Sequence, residues 1–315
     1  MAPAAGAAGM TILVTGAGGF LGAALVEALA ARGFAVRAAA RSPLPALPAG
    51  RVSPATLPDL AGSGLDDRFS ALLEGVEAVV HAAGLAHRPA GLDETVMQAV
   101  NAHASASLAR AARRRGVGRF VLISSSRAVS GPSSPHPLTE TATPAPSDAY
   151  GRSKLAAERT VREELPEAII LRPPVLHGAG AKGNMARLAR LARSPLPLPF
   201  GGLAGRRSIL SDANVAEAVA FVLARPDAAG RTFHLADGDP LTVGQMIGAM
   251  RQAVGRPPGI VGLPAALTER LVTRLAPALA DQLCRDLILD DAAIRALGWR
   301  PVESSAAGLG RMMRG

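Results

Sequence analysis

The chain has 315 residues, 49% of them apolar, and its 34 basic residues outnumber 25 acidic ones to give a formal net charge of +9. Its length suits one α/β domain with a smaller second lobe, and no run of 18 uncharged apolar residues suggests a membrane span. The single cysteine excludes an internal disulfide and agrees with a cytoplasmic location, the six histidines lack metal-ligand spacing, and one tyrosine with one tryptophan offers no stacking surface for nucleic acid.

The first predicted element is a buried strand at residues 11–15, which a glycine-rich turn joins to a helix ending near residue 32. Glycines allow a tight turn and a close approach of the backbone to a pyrophosphate, whose negative charge is stabilised at the helix N-terminus. In this context the turn predicts a dinucleotide-binding site. Its candidate residues are Gly16, Gly18, Gly19, Phe20, Leu21 and Gly22.

The second predicted strand, residues 35–40, indicates which dinucleotide is preferred. Enzymes of this kind that use NAD place an acidic residue at the end of this strand to bind a ribose hydroxyl. Here that position is Ala40, and Arg41 follows it. A guanidinium without a neighbouring carboxylate suits a 2′-phosphate, so we expect NADP(H), with NAD(H) as the alternative if Arg41 is merely a solvated loop residue.

The pattern of strands and helices continues along the chain. After a Pro- and Gly-rich stretch with a weak third strand, we expect strands at residues 76–83, 119–124 and 168–172, and helices at 94–115 and 147–165. A helix near 214–225 and a strand near 232–235 follow. This alternation predicts an α/β protein with a Rossmann-type doubly wound parallel sheet.

The only tyrosine of the chain, Tyr150, lies four residues before Lys154, one of only two lysines. On a helix this spacing places both side chains on one face. A nearby ammonium is expected to lower the pKa of a phenol, which then exchanges protons with a substrate hydroxyl or carbonyl. The alternative is a chance spacing on a solvated helix.

Together, the TGAGGFLG turn, the HAAG of residues 81–84, Asn101, the serines at 124–126, the YGRSK segment and the RPPVLHG of residues 172–178 resemble an extended short-chain dehydrogenase/reductase. The resemblance runs from about residue 10 to 302 and is strongest to the nucleotide-sugar epimerase, dehydratase and reductase group. It implies a catalytic set of Ser126, Tyr150 and Lys154, supported by Asn101. It also implies that the cofactor is contacted by the glycine turn, Arg41, Tyr150 and Lys154. Further cofactor contacts are implied for Asp59, Leu60, Ala82, Ala83, Gly84, Pro173 and Val175.

The same resemblance implies a division of the chain and a substrate site. From its composition we expect the segment of residues 1–9 to be a short disordered tail. The resemblance implies that residues 10–173, with returning segments at about 205–235, are the NADP-binding domain and that residues 174–204 and 236–315 are a smaller substrate-binding lobe. Asn184, Arg207 and, more weakly, Arg285 are candidates for the diphosphate, and Ser126 for the substrate carbonyl. From its place just after the fourth strand, we expect His87 to face the sugar. Residues 263–283 form an amphipathic stretch that suits a helix of this lobe or a membrane-surface segment.

Within the group, the chain looks most like bacterial reductases that act at C4 of UDP-4-keto-6-deoxy-N-acetylhexosamines in surface polysaccharide biosynthesis. Arg41 favours net reduction by NADPH, since a 4-epimerase retains its NAD. The alternatives are a UDP-N-acetylhexosamine 4-epimerase and, in another class, a non-catalytic NADP(H)-binding sensor. A homodimer is the family expectation. Ser130 and His177 replace tyrosines that are common in the family, which leaves the sugar open.

Overall fold

The computed structural model describes residues 10–44, 50–86 and 93–315. Its central element is a seven-stranded sheet in the order β10-β6-β5-β4-β1-β2-β3, and every pair of neighbouring strands is parallel. The strands are β1 (Thr11–Thr15), β2 (Ala35–Ala40), β3 (Val52–Thr56), β4 (Ala78–His81), β5 (Arg119–Ile123), β6 (Ile169–Arg172), β7 (Val175–His177), β8 (Arg206–Arg207), β9 (Ile209–Ser211), β10 (Thr232–His234) and β11 (Leu241–Thr242).

Helices cover both faces of this sheet. They are α1 (Phe20–Ala31), α2 (Leu65–Leu72), α3 (Glu94–Gln98), α4 (Ala104–Arg114), α5 (Ala149–Glu164), α6 (Gly183–Ala192), α7 (Asp212–Leu223), α8 (Val243–Ala253), α9 (Ala265–Leu275), α10 (Pro277–Cys284), α11 (Ala292–Ala296) and α12 (Ser305–Arg314). One apolar cluster joins the sheet to α1 and α7, and a second joins its other face to α2, α4 and α5. The predicted Rossmann-type doubly wound fold is therefore confirmed.

The strand order reverses between β1 and β4, which lie side by side in the sheet. In open parallel sheets, ligands bind in the crevice at the carboxyl ends of the strands at such a point. Thr15 and His81 are register partners at these carboxyl ends. The glycine turn follows β1 and the HAAG segment begins at the end of β4, so the topology brings the two motifs together.

The helix predicted at residues 94–115 is interrupted in the structure. Residues 94–98 and 104–114 are α-helical, but Ala99–His103 form a π-helical turn that contains Asn101. A π turn is rare and is frequently found at functional sites. The prediction of one continuous helix is therefore wrong, since local sequence periodicity does not register a tertiary contact of one side chain.

The C-terminal part of the chain builds a third apolar cluster from α6, α8 and α12. The predicted helix at 263–283 is divided into α9 and α10 before Pro277, because proline cannot continue a helical hydrogen-bond pattern. Thr268 is the only buried residue of α9. Within the described ranges, no helix has the length and apolar character that crossing a bilayer requires.

Candidate functional site

The glycine turn between β1 and α1 has almost no room for side chains at its two ends. Gly16 has φ +75°, and a Cβ there would lie 2.8 Å from the backbone of Ala83. A Cβ on Gly22 would lie only 2.0 Å from the carbonyl oxygen of Gly16. At Gly16 the backbone packs against the segment after β4. At Gly22 the start of α1 packs against the backbone of Gly16. Only glycine therefore fits at either position.

The middle of the same turn is open. Gly18 and Gly19 are exposed, and Gly19 begins α1 with no side chain bonded to the first helical amides. Phe20 and Leu21 are the first two helical residues. A helix N-terminus without a side-chain cap offers free backbone N–H groups and a positive dipole end, which suit a pyrophosphate. The residues present therefore fit a dinucleotide.

The end of β2 lies next to this turn. A Cβ on Gly18 would be 3.5 Å from the Cβ of Ala40. Arg41 follows Ala40, is exposed, and makes no hydrogen bond or ion pair with any residue that the structure describes. Arg37, by contrast, donates to two backbone carbonyls around the C-terminal end of α2. Of these two arginines, Arg41 is the one free to bind a ligand.

The remaining predicted cofactor residues lie along the carboxyl ends of β3 and β4. Asp59 is exposed and its carboxylate accepts a hydrogen bond from the amide of Ala61, while Leu60 is buried beside it. Ala82 follows His81 directly, and the amide of Ala83 donates to the hydroxyl of Thr15 at 3.3 Å. The roles of these residues toward a cofactor stay predictions.

Asn101 connects the segment after β4 to helix α5. Its Oδ1 accepts from the amide of Leu85 at 2.8 Å, and its Nδ2 donates to the carbonyl of Leu85 at 3.1 Å and to the hydroxyl of Ser153 at 2.9 Å. A Cβ on Gly84 would lie 2.7 Å from Oδ1, so the backbone approaches the amide closely. Asn101 thereby holds this segment against the helix that carries Tyr150 and Lys154.

Behind Asn101 runs a buried chain of hydrogen bonds. The carbonyl of Asn101 accepts from the hydroxyl of Ser105 at 2.6 Å, and Ser105 contacts the Nε2 of His81 at 2.9 Å. The Nδ1 of His81 in turn contacts the hydroxyl of Thr15 at 2.7 Å. Burial lowers the pKa of His81 to about 3, and the charge of Lys154 adds to this effect, so the imidazole is neutral at neutral pH.

Tyr150 is the second residue of α5 and is half-buried. Its phenol lies near the hydroxyl of Ser125, and that hydroxyl accepts a hydrogen bond from the amide of Arg127 at 3.2 Å. Ser126, the predicted catalytic serine, is 3% exposed, and its amide donates to the carbonyl of Pro173 at 2.9 Å. The role of Ser126 stays a prediction, and Ser125 is a second candidate because it lies near the phenol.

Lys154 lies one turn further along α5 and is 6% exposed. Its ammonium donates to the carbonyl of Ile123, the last residue of β5, at 2.6 Å. Burial lowers the pKa of Lys154 to about 8, and the carboxylate of Glu158 acts in the opposite direction. The lysine is thus a buried cation at the carboxyl end of the sheet, beside the predicted acid.

The prediction that Lys154 lowers the pKa of Tyr150 is wrong for this structure. Burial raises the pKa of Tyr150, the carboxylate of Asp148 acts in the same direction, and the Ser125 hydroxyl and the Arg127 guanidinium oppose them. The ammonium of Lys154 is directed at a backbone carbonyl instead. Tyr150 therefore holds its proton at neutral pH, as a proton donor must.

Two more charged residues surround Tyr150 that sequence reasoning missed. Asp148 caps α5: its Oδ1 accepts from the amide of Gly151 at 2.7 Å, and its Oδ2 accepts from Arg127 at 2.6 Å. An aspartate directly before a helix is a recognisable capping signal, so Asp148 could have been predicted from the sequence. Arg127 has no comparable local signal, because its partner lies 21 residues away in the chain.

The predicted substrate residues have different surroundings in the structure. Asn184 is exposed in the first turn of α6, and Arg285 is exposed and pairs with Asp281. Arg207 donates to the backbone carbonyls of Pro132, Gln282 and Arg285, and burial lowers its pKa to about 10. Arg207 thus links three segments of backbone. The expected contact of His87 with the sugar lies outside the described residues.

Of the remaining motif positions, Val175 and His177 lie in β7. Val175 is 44% exposed at its start, whereas His177 is fully buried and its Nε2 contacts Asp237 at 2.6 Å. Ser130 is also buried, and its hydroxyl bonds the carbonyl of Gly131 at 3.1 Å. Ser130 and His177 therefore serve local packing in this structure. Among the described residues, no cluster of histidine, cysteine or carboxylate groups could hold a metal ion.

The sequence model of the NAD dependent epimerase/dehydratase family matches residues 12–236. The chain is 28% identical over 311 residues to the UDP-glucose 4-epimerase of Vibrio cholerae, covering 95% of this chain and 93% of that protein. It is 34% identical over 324 residues to a 3-diazoavenalumate denitrifying reductase of a Streptomyces species, covering 96% and 100% of the two chains.

Among solved structures, the fold is similar to that of MoeE5 in complex with UDP-glucose and NAD, with a TM-score of 0.74, 25% identity, and coverage of 96% of this chain and 97% of that one. The protein is therefore an NAD(P)-dependent enzyme of the oxidoreductase type, and the chain belongs to the NAD dependent epimerase/dehydratase family.

Proposed function

We propose that the protein reduces the C4 ketone of a UDP-4-keto-6-deoxy-N-acetylhexosamine with NADPH, in the biosynthesis of a bacterial surface polysaccharide. The observation that carries this proposal is Arg41, an exposed and unpaired cation beside the glycine turn, with Ala40 where a carboxylate would select NAD. A preference for NADPH favours net reduction. We further expect a cytoplasmic homodimer that binds its substrate in the residue 174–204 and 236–315 lobe.

The substrate class rests on the relatives. The Vibrio cholerae protein is named for a UDP-glucose reaction at C4, and MoeE5 is described with UDP-glucose bound. The Streptomyces relative is named a reductase, which agrees with net reduction as the outcome. A nucleotide sugar also suits the basic chain, because cationic surfaces attract polyanionic ligands.

In this proposal each residue of the site has one task. The bound dinucleotide supplies a hydride when it is in place. The glycine turn and the N-terminus of α1 hold its pyrophosphate, and Arg41 holds its 2′-phosphate. Tyr150, whose raised pKa keeps it protonated, gives its proton to the oxygen of the ketone as that oxygen becomes a hydroxyl. Lys154 binds ribose hydroxyls and supports the phenolate that forms.

The second candidate function is a UDP-N-acetylhexosamine 4-epimerase that retains NAD. It is favoured by the NAD in the MoeE5 complex, a structure that resembles nearly the whole chain. An epimerase oxidises C4 and then reduces it again, so it takes no external reductant.

One experiment separates the two functions. The protein is purified, its bound dinucleotide is identified by mass spectrometry, and NADPH oxidation is followed with a UDP-4-keto-6-deoxy-N-acetylhexosamine. We expect little bound dinucleotide and turnover with NADPH. Tightly bound NAD together with interconversion of UDP-N-acetylhexosamines would establish the epimerase instead, and NADPH binding without either activity would indicate the sensor.

A separate experiment identifies the serine that donates a hydrogen bond to the ketone oxygen. Ser126→Ala removes the serine predicted from the family motif, and Ser125→Ala removes the hydroxyl near the phenol of Tyr150. Loss of one catalytic hydrogen bond is expected to lower kcat by about 10²-fold. The variant with the larger loss identifies the serine that contacts the substrate, and equal small losses would remove both from the mechanism.

A further inference from the structure

A buried carboxylate lies next to Lys154 on the same helix. Glu158 follows Lys154 by four residues on α5, and the two are 4% and 6% exposed. Residues four apart on a helix lie on one face, one turn from each other. A buried carboxylate is expensive unless it is paired and hydrogen-bonded, so its partners define what it does.

Two side chains at the carboxyl ends of neighbouring strands fix Glu158 in place. Arg172, at the end of β6, donates from Nε to Oε1 at 2.9 Å and from NH2 to Oε2 at 2.6 Å. The hydroxyl of Ser124, which directly follows β5, also donates to Oε1. The carboxylate therefore accepts hydrogen bonds at both oxygens and has a single defined orientation.

The groups around Lys154 differ in charge. His81 on β4 is neutral, Tyr150 on α5 is uncharged, and β5 offers the carbonyl of Ile123. The charged groups are Glu158 on α5 and, beyond it on β6, Arg172. Among the residues that the structure describes, Glu158 is the one carboxylate that acts on the pKa of Lys154, and it opposes the effect of burial.

We propose that Glu158 is a positioning residue: held by Ser124 and Arg172, its carboxylate keeps the buried Lys154 ammonium charged at the cleft. Burial alone favours a neutral amine, which offers fewer donors to ribose hydroxyls and no charge to support a phenolate. The buried ion pair is thereby part of the site, one turn behind the residues that touch the ligands. The use of Lys154 in turnover rests on the proposed function, whereas its charge state does not.

The chain allows a direct test, because Lys154 and Lys182 are its only lysines. With ε-13C-lysine labelling, NMR titration of the ligand-free protein follows both ammonium groups, and the exposed Lys182 is an internal reference. We expect Lys154 to titrate near pH 8 in the wild type and at least about one pH unit lower in Glu158→Gln, because an opposite charge nearby has been removed.

Glu164→Gln is the matched control. Glu164 ends the same helix and pairs with Arg110 and Arg113, so the same chemical change is made away from Lys154. This variant should leave the Lys154 titration unchanged. An unchanged titration in Glu158→Gln, or an equal shift in both variants, would overturn the proposal.

A second variant addresses folding, since Glu158→Gln leaves Arg172 buried without its partner. Glu158→Gln combined with Arg172→Met removes both charges and replaces them by groups of similar volume. The pKa of Lys154 should again be lower than in the wild type, by less than in Glu158→Gln, because a nearby cation has been removed together with the carboxylate. If the protein is active as proposed, the alkaline limb of its kcat/KM profile moves to lower pH in parallel. A shifted titration with no activity in the wild type would retain the role of Glu158 and reject the proposed function instead.

Discussion

Removing the side chain of Asn101 should separate the segment after β4 from the helix that carries the catalytic pair. In Asn101→Ala, the amide and carbonyl of Leu85 and the hydroxyl of Ser153 lose their bonds to the side chain, at 2.8, 3.1 and 2.9 Å. A buried hydrogen bond contributes about 1 kcal/mol, so we expect the free energy of unfolding to fall by about 3 kcal/mol. The free energy of unfolding of native proteins is about 5–15 kcal/mol, so we expect the variant to fold.

The effect on turnover is expected to be larger than the effect on stability suggests. The segment from Ala82 to Leu85 borders both the glycine turn and the predicted active site, and displacement of a bound reactant by about 1 Å can reduce rates about 10²-fold. We therefore expect kcat to fall by one to two orders of magnitude. Asn101→Asp keeps the acceptor for the Leu85 amide but loses both donors, so its losses should be similar.

Asn214→Ala is the control for this prediction. Asn214 is also fully buried and bonds Asp237, Val302 and Glu303, on the other side of the sheet from α5. Urea unfolding and steady-state kinetics are measured on both variants. Both should lose stability, and only Asn101→Ala should lose turnover at a temperature where both are folded. Equal kcat values for Asn101→Ala and the wild type would refute the argument.

Three further predictions address proton transfer, cofactor choice and pH. Tyr150→Phe should lower kcat by about 10²–10⁴-fold and leave the Kd of NADPH within a few-fold, and more than about a tenth of the wild-type rate would exclude Tyr150 as the acid. Ala40→Asp with Arg41→Ala should shift kcat/KM toward NADH, and a wild type that already prefers NADH would contradict the role of Arg41. The pKa of His81 is lowered to about 3 from 6.5, so the unfolded chain binds the extra proton and stability falls as pH drops from about 6.5 toward 3. His81→Gln should flatten this dependence by about 1.4 kcal/mol per pH unit in unfolding titrations, and an unchanged slope would contradict the argument.

Local sequence determined the parts of this protein that depend on short-range physics. The runs at residues 11–15 and 35–40 form strands with the predicted bounds, because β-branched and small apolar residues buried on both faces suit a central parallel strand. The glycine turn was predictable for the same kind of reason, since the close contacts at Gly16 and Gly22 exclude any side chain. The spacing of Tyr150 and Lys154 likewise placed them on one helix.

Tertiary structure decided what depends on contacts between distant segments. The π turn at Asn101 exists because that side chain bonds a loop and a helix 16 and 52 residues away. The pKa of Tyr150 is raised and not lowered, because burial and Asp148 outweigh the groups that oppose them, while Lys154 turns to a strand carbonyl. Glu158 lies where it can act on Lys154 because β5 and β6 bring Ser124 and Arg172 to it. Electrostatic fields and hydrogen bonds act through space, so spacing along the chain places such groups on an element but does not determine what they touch.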